Sequence, residues 1–369
     1  MGGSVLVGHT LQVLASLPDE FADCVVTSPP YYQTRVYTGA EAVWGGREDC
    51  EHIFELKEHL PEASRFRTSK ENGMGPHLNT RIYGNQTTKS GFCKKCGAWF
   101  GQLGLEPSPS LYLKHLLLVT KEIKRVLKKT GTLFLNIADS YDSKRLLLIP
   151  ERLAVKMVDE QGWILRNDLI WFKRNAMPES VKDRWSRKHE YVFFFVKSGK
   201  YFFEQKRKTD ERVERVLSSI SVFPLERYST KYPDGSKPAS LSSIAGKRRL
   251  VREVAPLLFP QEEAREVIRL HHDHGRGPVP GDVLEVNTRP SGVNHIAVFP
   301  EELVLPLIEA GSPPGGLVLD PFAGSGTTLV AAKLAGRNFV GIELVPAYAE
   351  EARRRLRDAR PYHHHFKML

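Results

Sequence analysis

Three short stretches carry residue types whose spacing could do chemistry. The first is Thr27-Ser28-Pro29-Pro30-Tyr31, directly after the apolar run Cys24–Val26. Two prolines stiffen this loop and remove two N–H donors, which leaves its carbonyls free to accept. The Ser28 hydroxyl and the Pro29 carbonyl could together accept protons from one amino group. Tyr31 offers a flat face on which a base could stack. The second stretch runs Gly316-Leu-Val-Leu-Asp320-Pro321-Phe322-Ala323-Gly324-Ser325-Gly326-Thr327-Thr328, a strand, a glycine turn and a helix start. Such a turn lets the backbone approach a ligand, and the helix start offers free N–H groups. The next strand ends at Glu343, nineteen residues after Gly324, where a carboxylate can accept from both hydroxyls of a ribose. A dinucleotide fingerprint needs Gly or Ala where Leu329 stands, and a P-loop needs Gly-Lys-Ser/Thr where Gly326-Thr327-Thr328 stands. Neither fits. Alone, either motif reads as a common strand-to-turn connection. In an open α/β sheet, however, loops after parallel strands share one edge, so the two could face each other across one crevice.

The third stretch is Cys93-Lys-Lys-Cys96, a knuckle in which two thiolates can grip one metal. Asp49-Cys50-Glu-His52 upstream completes a Cys₃His set of Cys50, His52, Cys93 and Cys96, with His59 or His77 as substitutes for His52. The expected ion is a structural zinc, a staple for a core-poor segment. The chain has 4 cysteines, too few for a disulfide framework in 369 residues, and Cys24 reads as core packing.

Basic residues alternate with aromatics from Trp171 to Lys188. Lys173, Arg174, Lys182, Arg184, Arg187 and Lys188 lie there on an expected loop and are the candidate contacts to nucleic-acid phosphates. Lys and Arg outnumber Asp and Glu by 53 to 43, a net charge of +10 that suits a polyanion partner.

With these motifs in this order, the sequence resembles the amino-methyltransferases of DNA, in their circularly permuted β subgroup. Ser28-Pro29-Pro30-Tyr31 matches the family's catalytic motif and Phe322-Ala323-Gly324-Ser325-Gly326 its cofactor motif, while His295-Ile-Ala-Val-Phe299-Pro300-Glu-Glu-Leu303 matches the motif before the cofactor loop. The resemblance covers most of residues 4–200 and 283–357. It implies a Rossmann-like methyltransferase fold with a mostly parallel, seven-stranded sheet. It implies S-adenosylmethionine as cofactor, held by Phe299, Asp320, Pro321, Phe322, Ala323, Gly324, Ser325, Gly326, Thr327 and Glu343. It implies catalysis at Ser28, Pro29, Pro30 and Tyr31 on a base flipped out of double-stranded DNA. Enzymes of this kind work beside a cognate restriction endonuclease or as orphans. Serine at the head of the catalytic motif is associated with cytosine N4 methylation, aspartate with adenine N6. Relatives often carry an acidic residue after the strand that ends here at Gly8, where this chain has His9. The rival readings are an adenine target, an RNA substrate and, from another class, a zinc-containing DNA-binding protein without catalysis.

The elements that must position these motifs follow from periodicity. Val5–Val7 and Cys24–Val26 read as buried strands around a short helix, Leu11–Leu17. Residues 32–100 have no sustained period and read as a surface excursion carrying the knuckle. Apolar residues at helical spacing from Leu113 to Leu127 predict a helix, followed by a strand at Thr132–Ile137. A second helix at Pro150–Gly162 and a strand at Trp163–Phe172 come next. Tyr191–Val196 and Tyr201–Phe203 read as a β-hairpin. Residues 204–280, with Lys206-Arg207-Lys208, Lys247-Arg248-Arg249 and the cluster His271-His272-Asp273-His274 on an expected loop, read as a separate target-recognition insert. Strand and helix alternate again through Leu317–Leu319, Thr327–Ala335, Phe339–Ile342 and Ala347–Arg357. The predicted organisation is therefore 1–31 with 101–203 as the catalytic half, 32–100 and 204–280 as inserts, and 281–369 as the cofactor half, an α/β protein. No apolar run approaches the length of a membrane span, and the start Met1-Gly-Gly-Ser lacks a charged leader, which predicts a cytoplasmic setting.

Overall fold

The computed structural model describes residues 2–59, 87–176, 179, 181–204, 216, 251–252, 254–274, 280–288 and 299–359. Strand β1 (Gly3–Val7) leads through α1 (Thr10–Ser16) to β2 (Ala22–Thr27). Four short strands follow: β3 (Glu41–Trp44), β4 (Lys57–His59), β5 (Thr88–Phe92) and β6 (Trp99–Gln102). Helix α2 (Pro109–Val126) starts on Ser108, whose side chain accepts the Leu111 N–H, with proline at its first position where no N–H is missed. It runs directly into β7 (Leu127–Ile137), and then come the hairpin β8 (Tyr141–Asp142) and β9 (Arg145–Leu146), α3 (Ile149–Gln161), β10 (Ile164–Phe172) and β11 (His189–Val196). After α4 (Gln261–His274) the chain returns through β12 (Val283–Glu285), α5 (Glu301–Gly311), β13 (Leu317–Asp320), α6 (Thr327–Leu334), β14 (Asn338–Glu343) and α7 (Pro346–Asp358).

Eight strands form one sheet in the order β1-β14-β13-β2-β7-β11-β10-β12. The five strands from β1 to β7 are parallel, β11 is antiparallel to both neighbours, and β12 lies parallel to β10. The expected seven strands are thus joined by a three-residue edge strand. In β7, Leu133 and Leu135 point to one face and Phe134 to the other, the period of two that a sheet imposes. On the first face they meet Leu14 of α1, Leu113 and Leu116 of α2 and Leu153 of α3. On the second, Phe134 and Phe194 meet Leu303 of α5, Leu329 of α6 and Ala349 of α7. Burying each large apolar side chain contributes about 1.5–3 kcal/mol, so the two-sided core fixes the strand register that sets the site.

Two expectations are corrected. Residues 201–203 form no strand, because β11 already bonds β10 on one side and β7 on the other and has no free edge. Instead the Phe202 N–H donates to the Thr130 carbonyl and the Glu204 N–H to that of Ala310. The excursion 32–100 is also more ordered than its composition suggests: β3, β6, β5 and β4 form a four-stranded antiparallel sheet. It is anchored by Trp44 and Trp99, both almost fully buried, with the His115 ring of α2 stacked 5.8 and 5.6 Å from them. His115 is held by the buried Glu106 carboxylate at 2.9 Å.

The chain divides into two compact units, Met1–Glu204 with Asp282–His363, and Gln205–Gly281 with His364–Leu369. The second has its own small core of Val216, Val251, Val254, Ala255, Ala264 and Val267. His271–His274 end its helix α4 rather than lying on a loop, continuing the helix whose Ala264 and Val267 are buried in that small core. Lys206–Lys208, Lys247–Arg249, His77 and the motif residues 295–298 lie outside the described residues. Among the described residues no helix is long and apolar enough to cross a membrane.

Candidate active site and metal knuckle

The register brings the carboxyl ends of β1, β14, β13, β2 and β7 to one edge, with the start of β11 beside them because Tyr191 pairs with Ile137. Both sequence motifs therefore open on that edge. Strands β13 and β2 are neighbours, and the Thr27 hydroxyl donates to Asp320 Oδ1 at 2.6 Å, joining the two loops directly.

Ser28, Pro29, Pro30 and Tyr31 leave β2 as an extended loop fixed from behind. Tyr112 of α2 donates its hydroxyl to the Pro30 carbonyl at 2.7 Å. Gly104 packs so close that a Cβ there would lie 2.8 Å from the Tyr31 carbonyl oxygen, and its φ of +92° adds to the demand for glycine. Its carbonyl accepts the Gln33 N–H at 2.7 Å. Among the described residues no donor reaches the Pro29 carbonyl, which is therefore available as an acceptor. The Ser28 hydroxyl lies 3.0 Å from the Tyr31 hydroxyl and 3.3 Å from Asn136 Oδ1. Tyr31 in turn reaches Asn136 Oδ1 at 2.8 Å and Glu190 Oε2 at 2.7 Å. The Asn136 amide is oriented by its Nδ2, which donates to the Tyr191 carbonyl at 3.0 Å. Lys173 closes the far side by pairing with Glu190 and lying 3.9 Å over the Trp171 ring. Burial, reinforced by the Glu190 charge, pushes the Tyr31 phenol well above its ordinary range, so the hydroxyl keeps its proton.

Sequence reasoning missed Asn136 and Glu190. The available signal was polarity in the wrong place: an Asn near the end of the apolar β7, and His189-Glu190 opening the apolar run of β11.

The cofactor motif is built differently. Asp320 ends β13, and its Oδ1 also accepts the Phe322 N–H at 3.0 Å; burial pushes this carboxyl up to about 6 against those hydrogen bonds. The Pro321 carbonyl is held by the Thr10 hydroxyl at 2.8 Å and the Ala323 N–H by the Ile342 carbonyl at 2.9 Å. Gly326 caps α6 at φ +82°, where a Cβ would lie 2.7 Å from that of Ala352. Glu343 accepts the Gly324 N–H on Oε2 and the Val345 N–H on Oε1, both at 2.8 Å. A carboxylate has about four lone-pair positions, so two stay open for hydroxyls. Burial raises the Glu343 carboxyl despite those N–H groups. Ser325 and Thr327 turn their hydroxyls to Arg355 of α7, at 3.1 and 2.9 Å, and Arg355 also pairs with Glu301 at 2.9 Å. Arg355 thereby ties the turn to the start of α5, two residues beyond Phe299, which packs on the second face of the core. In the sequence it was hidden in an arginine run that looks like a solvated helix end. One strand over from Glu343, His9 has a buried Nε2 with no hydrogen-bond partner among the described residues. Burial lowers its imidazole to about 4, so it is neutral at ordinary pH.

The four candidate metal ligands are brought together, their donor atoms all within 4.8 Å of one another. Cys50 and Cys93 sulfurs are 3.9 Å apart, and Cys96 Sγ lies 3.3 Å from His52 Nδ1. Tetrahedral zinc with bonds of about 2.0–2.3 Å needs ligand separations of roughly 3.5–3.8 Å, so the donor set and its spacing fit. Burial alone would raise the Cys93 thiol, but the Cys96 N–H, the His52 ring and the Ile53 and Lys95 N–H groups pull it down to about 5. Cys96 is lowered by the Arg47 and Ala98 N–H groups, whereas burial and the two neighbouring sulfurs raise Cys50. His59 stands on β4, outside this cluster.

The basic run divides. Lys173, Arg174 and Arg184 are committed to carboxylates of the protein itself, Glu190, Glu285 and Glu179. Lys182 and Lys188 are exposed and Arg187 is half-buried, none paired with a carboxylate among the described residues.

The model of a family described as DNA methylase matches residues 22–354. The chain is 29% identical to the Type II methyltransferase M.XycI of Xanthomonas campestris pv. cyanopsidis, over 96% of this chain and 88% of the relative. It is 29% identical to the Type II methyltransferase M.SmaI of Serratia marcescens, over 95% and 90%. Among solved structures its fold is similar to PvuII DNA methyltransferase (cytosine-N4-specific), with a TM-score of 0.54, 17% identity, and coverage of 96% of this chain and 86% of that one.

Proposed function

This chain belongs to the DNA methylase family, and from that premise we propose that it transfers a methyl group to the N4 amino group of a cytosine flipped out of duplex DNA. The observation that carries the reading is the pair of acceptors at Ser28 and Pro29, locked by the Thr27–Asp320 hydrogen bond to the glycine turn. S-adenosylmethionine, when bound, supplies an electrophilic methyl on a sulfonium sulfur. The residues present fit it: Glu343 has open lone pairs for ribose hydroxyls, and the unpartnered His9 Nε2 is a hydrogen-bonding position for an adenine edge. Gly324 carries no side chain, and the Ser325 and Thr327 hydroxyls turn to Arg355.

An aromatic amino nitrogen is a poor nucleophile because its lone pair is delocalised into the ring. Ser28 Oγ and the Pro29 carbonyl accept hydrogen bonds from its two N–H groups and localise that lone pair, and the extra proton left on the nitrogen after transfer is released to solvent. In-line transfer then needs positioning and polarisation, with no covalent enzyme intermediate. Tyr31 is held at its hydroxyl end by Asn136 and Glu190, which fixes the ring against which the base stacks. Lys182, Arg187 and Lys188 supply phosphate contacts, residues 204–280 select the sequence, and Cys50, His52, Cys93 and Cys96 hold a structural zinc outside the chemistry. The enzyme works in the cytoplasm, in a restriction-modification pair or alone.

The test is mass spectrometry of nucleosides from duplex DNA incubated with the protein and S-adenosylmethionine, beside Ser28→Ala. N4-methylcytosine that disappears in the variant is the expected result. N6-methyladenine would overturn the assignment of the base, and methylation undiminished in Ser28→Ala would overturn the catalytic loop.

A further inference from the structure

Trp185 is 94% exposed, whereas Trp44, Trp99, Trp163 and Trp171 are each 3% exposed or less. A fully solvated indole leaves the largest apolar side chain without a partner, and its setting shows that it is held out rather than left loose. Arg184 braces the turn, donating to Glu179 at 2.5 Å and lying 4.0 Å over the Tyr141 ring. Asp183 pairs with Lys144 at 2.8 Å. The base of the loop is closed where the Lys173 N–H donates to the Lys188 carbonyl at 2.8 Å. That base adjoins Glu190, the residue that grips Tyr31, so the indole rises from the rim of the catalytic edge. Lys182, Arg187 and Lys188 surround it in sequence with cations that no described carboxylate neutralises, which marks a polyanion as the partner.

We propose that Trp185 enters the duplex where the target nucleotide has left it, opposite the orphaned partner base, and stacks between the two flanking bases, a positioning role in base flipping. The inference rests on the reading that the target is a flipped base of DNA. Extruding a nucleotide leaves a gap one base thick and two unstacked neighbours. A planar indole matches that gap, and apolar side chains inserted between base steps are a recognised way to hold a distorted duplex. The cations on either side would grip the flanking phosphates and set the depth of entry.

The experiment uses the full-length protein, tritiated S-adenosylmethionine and a short duplex carrying the methylation site mapped by sequencing modified plasmid DNA. Trp185→Ala and Trp185→Phe are compared with the parent protein in single turnovers, on the paired duplex and on one with a mismatch opposite the target. Base–aromatic stacking predicts that Trp185→Ala slows methylation of the paired duplex by roughly ten- to hundredfold. The deficit should shrink to a few-fold on the mismatch, where extrusion is easier, and Trp185→Phe should recover most of the rate. Cofactor affinity by calorimetry should stay unchanged. Equal rates for Trp185→Ala and the parent on the paired duplex would overturn the proposal and leave an exposed indole for a protein partner. So would a deficit of the same size on both duplexes. A parent protein that binds cofactor yet methylates no DNA would instead overturn the reading on which the proposal rests.

Discussion

The two loops that meet at Thr27 and Asp320 are held by different means. The cofactor turn is held largely through its backbone: Gly326 sits at φ +82°, and the Gly324 N–H on Glu343 and the Ala323 N–H on Ile342 reach partners nineteen residues away, with Thr10 on the Pro321 carbonyl and Arg355 on Ser325 and Thr327 as side-chain ties. The catalytic loop is a side-chain structure: Ser28 and Tyr31 are fixed by Asn136 and Glu190, 105 and 159 residues from Tyr31, with Gly104 and Tyr112 behind. A backbone-built site tolerates little at a few positions. A side-chain-built site spreads its requirements over the sheet, and its failures should be graded.

The sharpest test of that difference is a crossed pair of variants. Ser28→Ala should lower methyl transfer by about 10²–10³-fold, the cost of losing one preorganised polar group at a reacting centre, with cofactor affinity unchanged. Gly326→Val should abolish cofactor binding in calorimetry, because its Cβ would collide with Ala352 and its φ is disfavoured. If either variant loses both properties equally, the two loops form one unit and the contrast fails.

Next comes the metal knuckle. Strand β6 begins three residues after Cys96, and the Gln102 side chain accepts the Tyr37 N–H at 2.6 Å and donates to the Arg35 carbonyl, so this sheet buttresses the catalytic side, while its Trp44 also meets the His9 ring edge-on at 4.5 Å. Metal analysis of chelator-free protein should find one zinc per chain. Stripping it, or Cys96→Ser, should cut transfer by about 10²-fold, the effect of misplacing a reacting group by an ångström, with cofactor affinity nearly constant. A parallel fall in cofactor affinity would mean that the knuckle supports both loops.

Glu190→Gln should cost less. Replacing a charge-assisted hydrogen bond by a neutral one removes about 1–2 kcal/mol, or roughly five- to thirtyfold in rate, and should raise the apparent affinity constant for DNA little. A rate equal to that of the parent would remove Glu190 from the network that positions Tyr31.

The last test concerns Asp320 and is read in stability, with no change in rate required. Its carboxyl titrates at about 6 in the fold against 3.8 unfolded, so between those values the native state binds more protons. Stability from this group is therefore full below pH 3.8 and falls as pH rises toward 6, a cost of about 3 kcal/mol above that. Asp320→Asn keeps an Oδ1 acceptor for Thr27 and Phe322. The difference in unfolding free energy, variant minus parent, should rise between pH 4 and 6 and then level off. A flat difference would mean that the carboxylate is better solvated than its burial indicates.

The same contrast explains what could be read from the sequence. The glycine turn and the Ser28-Pro29-Pro30-Tyr31 loop are contiguous strings whose backbone demands show in residue type. Asn136 and Glu190 are contiguous with nothing they touch, and only strand order makes them neighbours. Residues 32–100 looked structureless because their strands are three to five residues long and their core is two tryptophans clasping a histidine from another element. Tyr201–Phe203 had the residue types of a strand, but pairing depends on an edge that β10 and β7 had already taken. The basic run from Lys173 to Lys188 gave charge without destination, and half of it turned inward to carboxylates.

The pairing of β2 with β13 has a consequence for biosynthesis. Cys24, Val25 and Val26 are made early, but the strand that covers them begins at Leu317. Until β13 is made, β2 is therefore an apolar edge, the kind of surface that sticks to other chains and that chaperones cover. The hydrogen bond between Thr27 and Asp320 spans 293 residues and forms only after all of them have left the ribosome. A product that stops before Asp320 thus carries an unfinished catalytic loop and no cofactor turn.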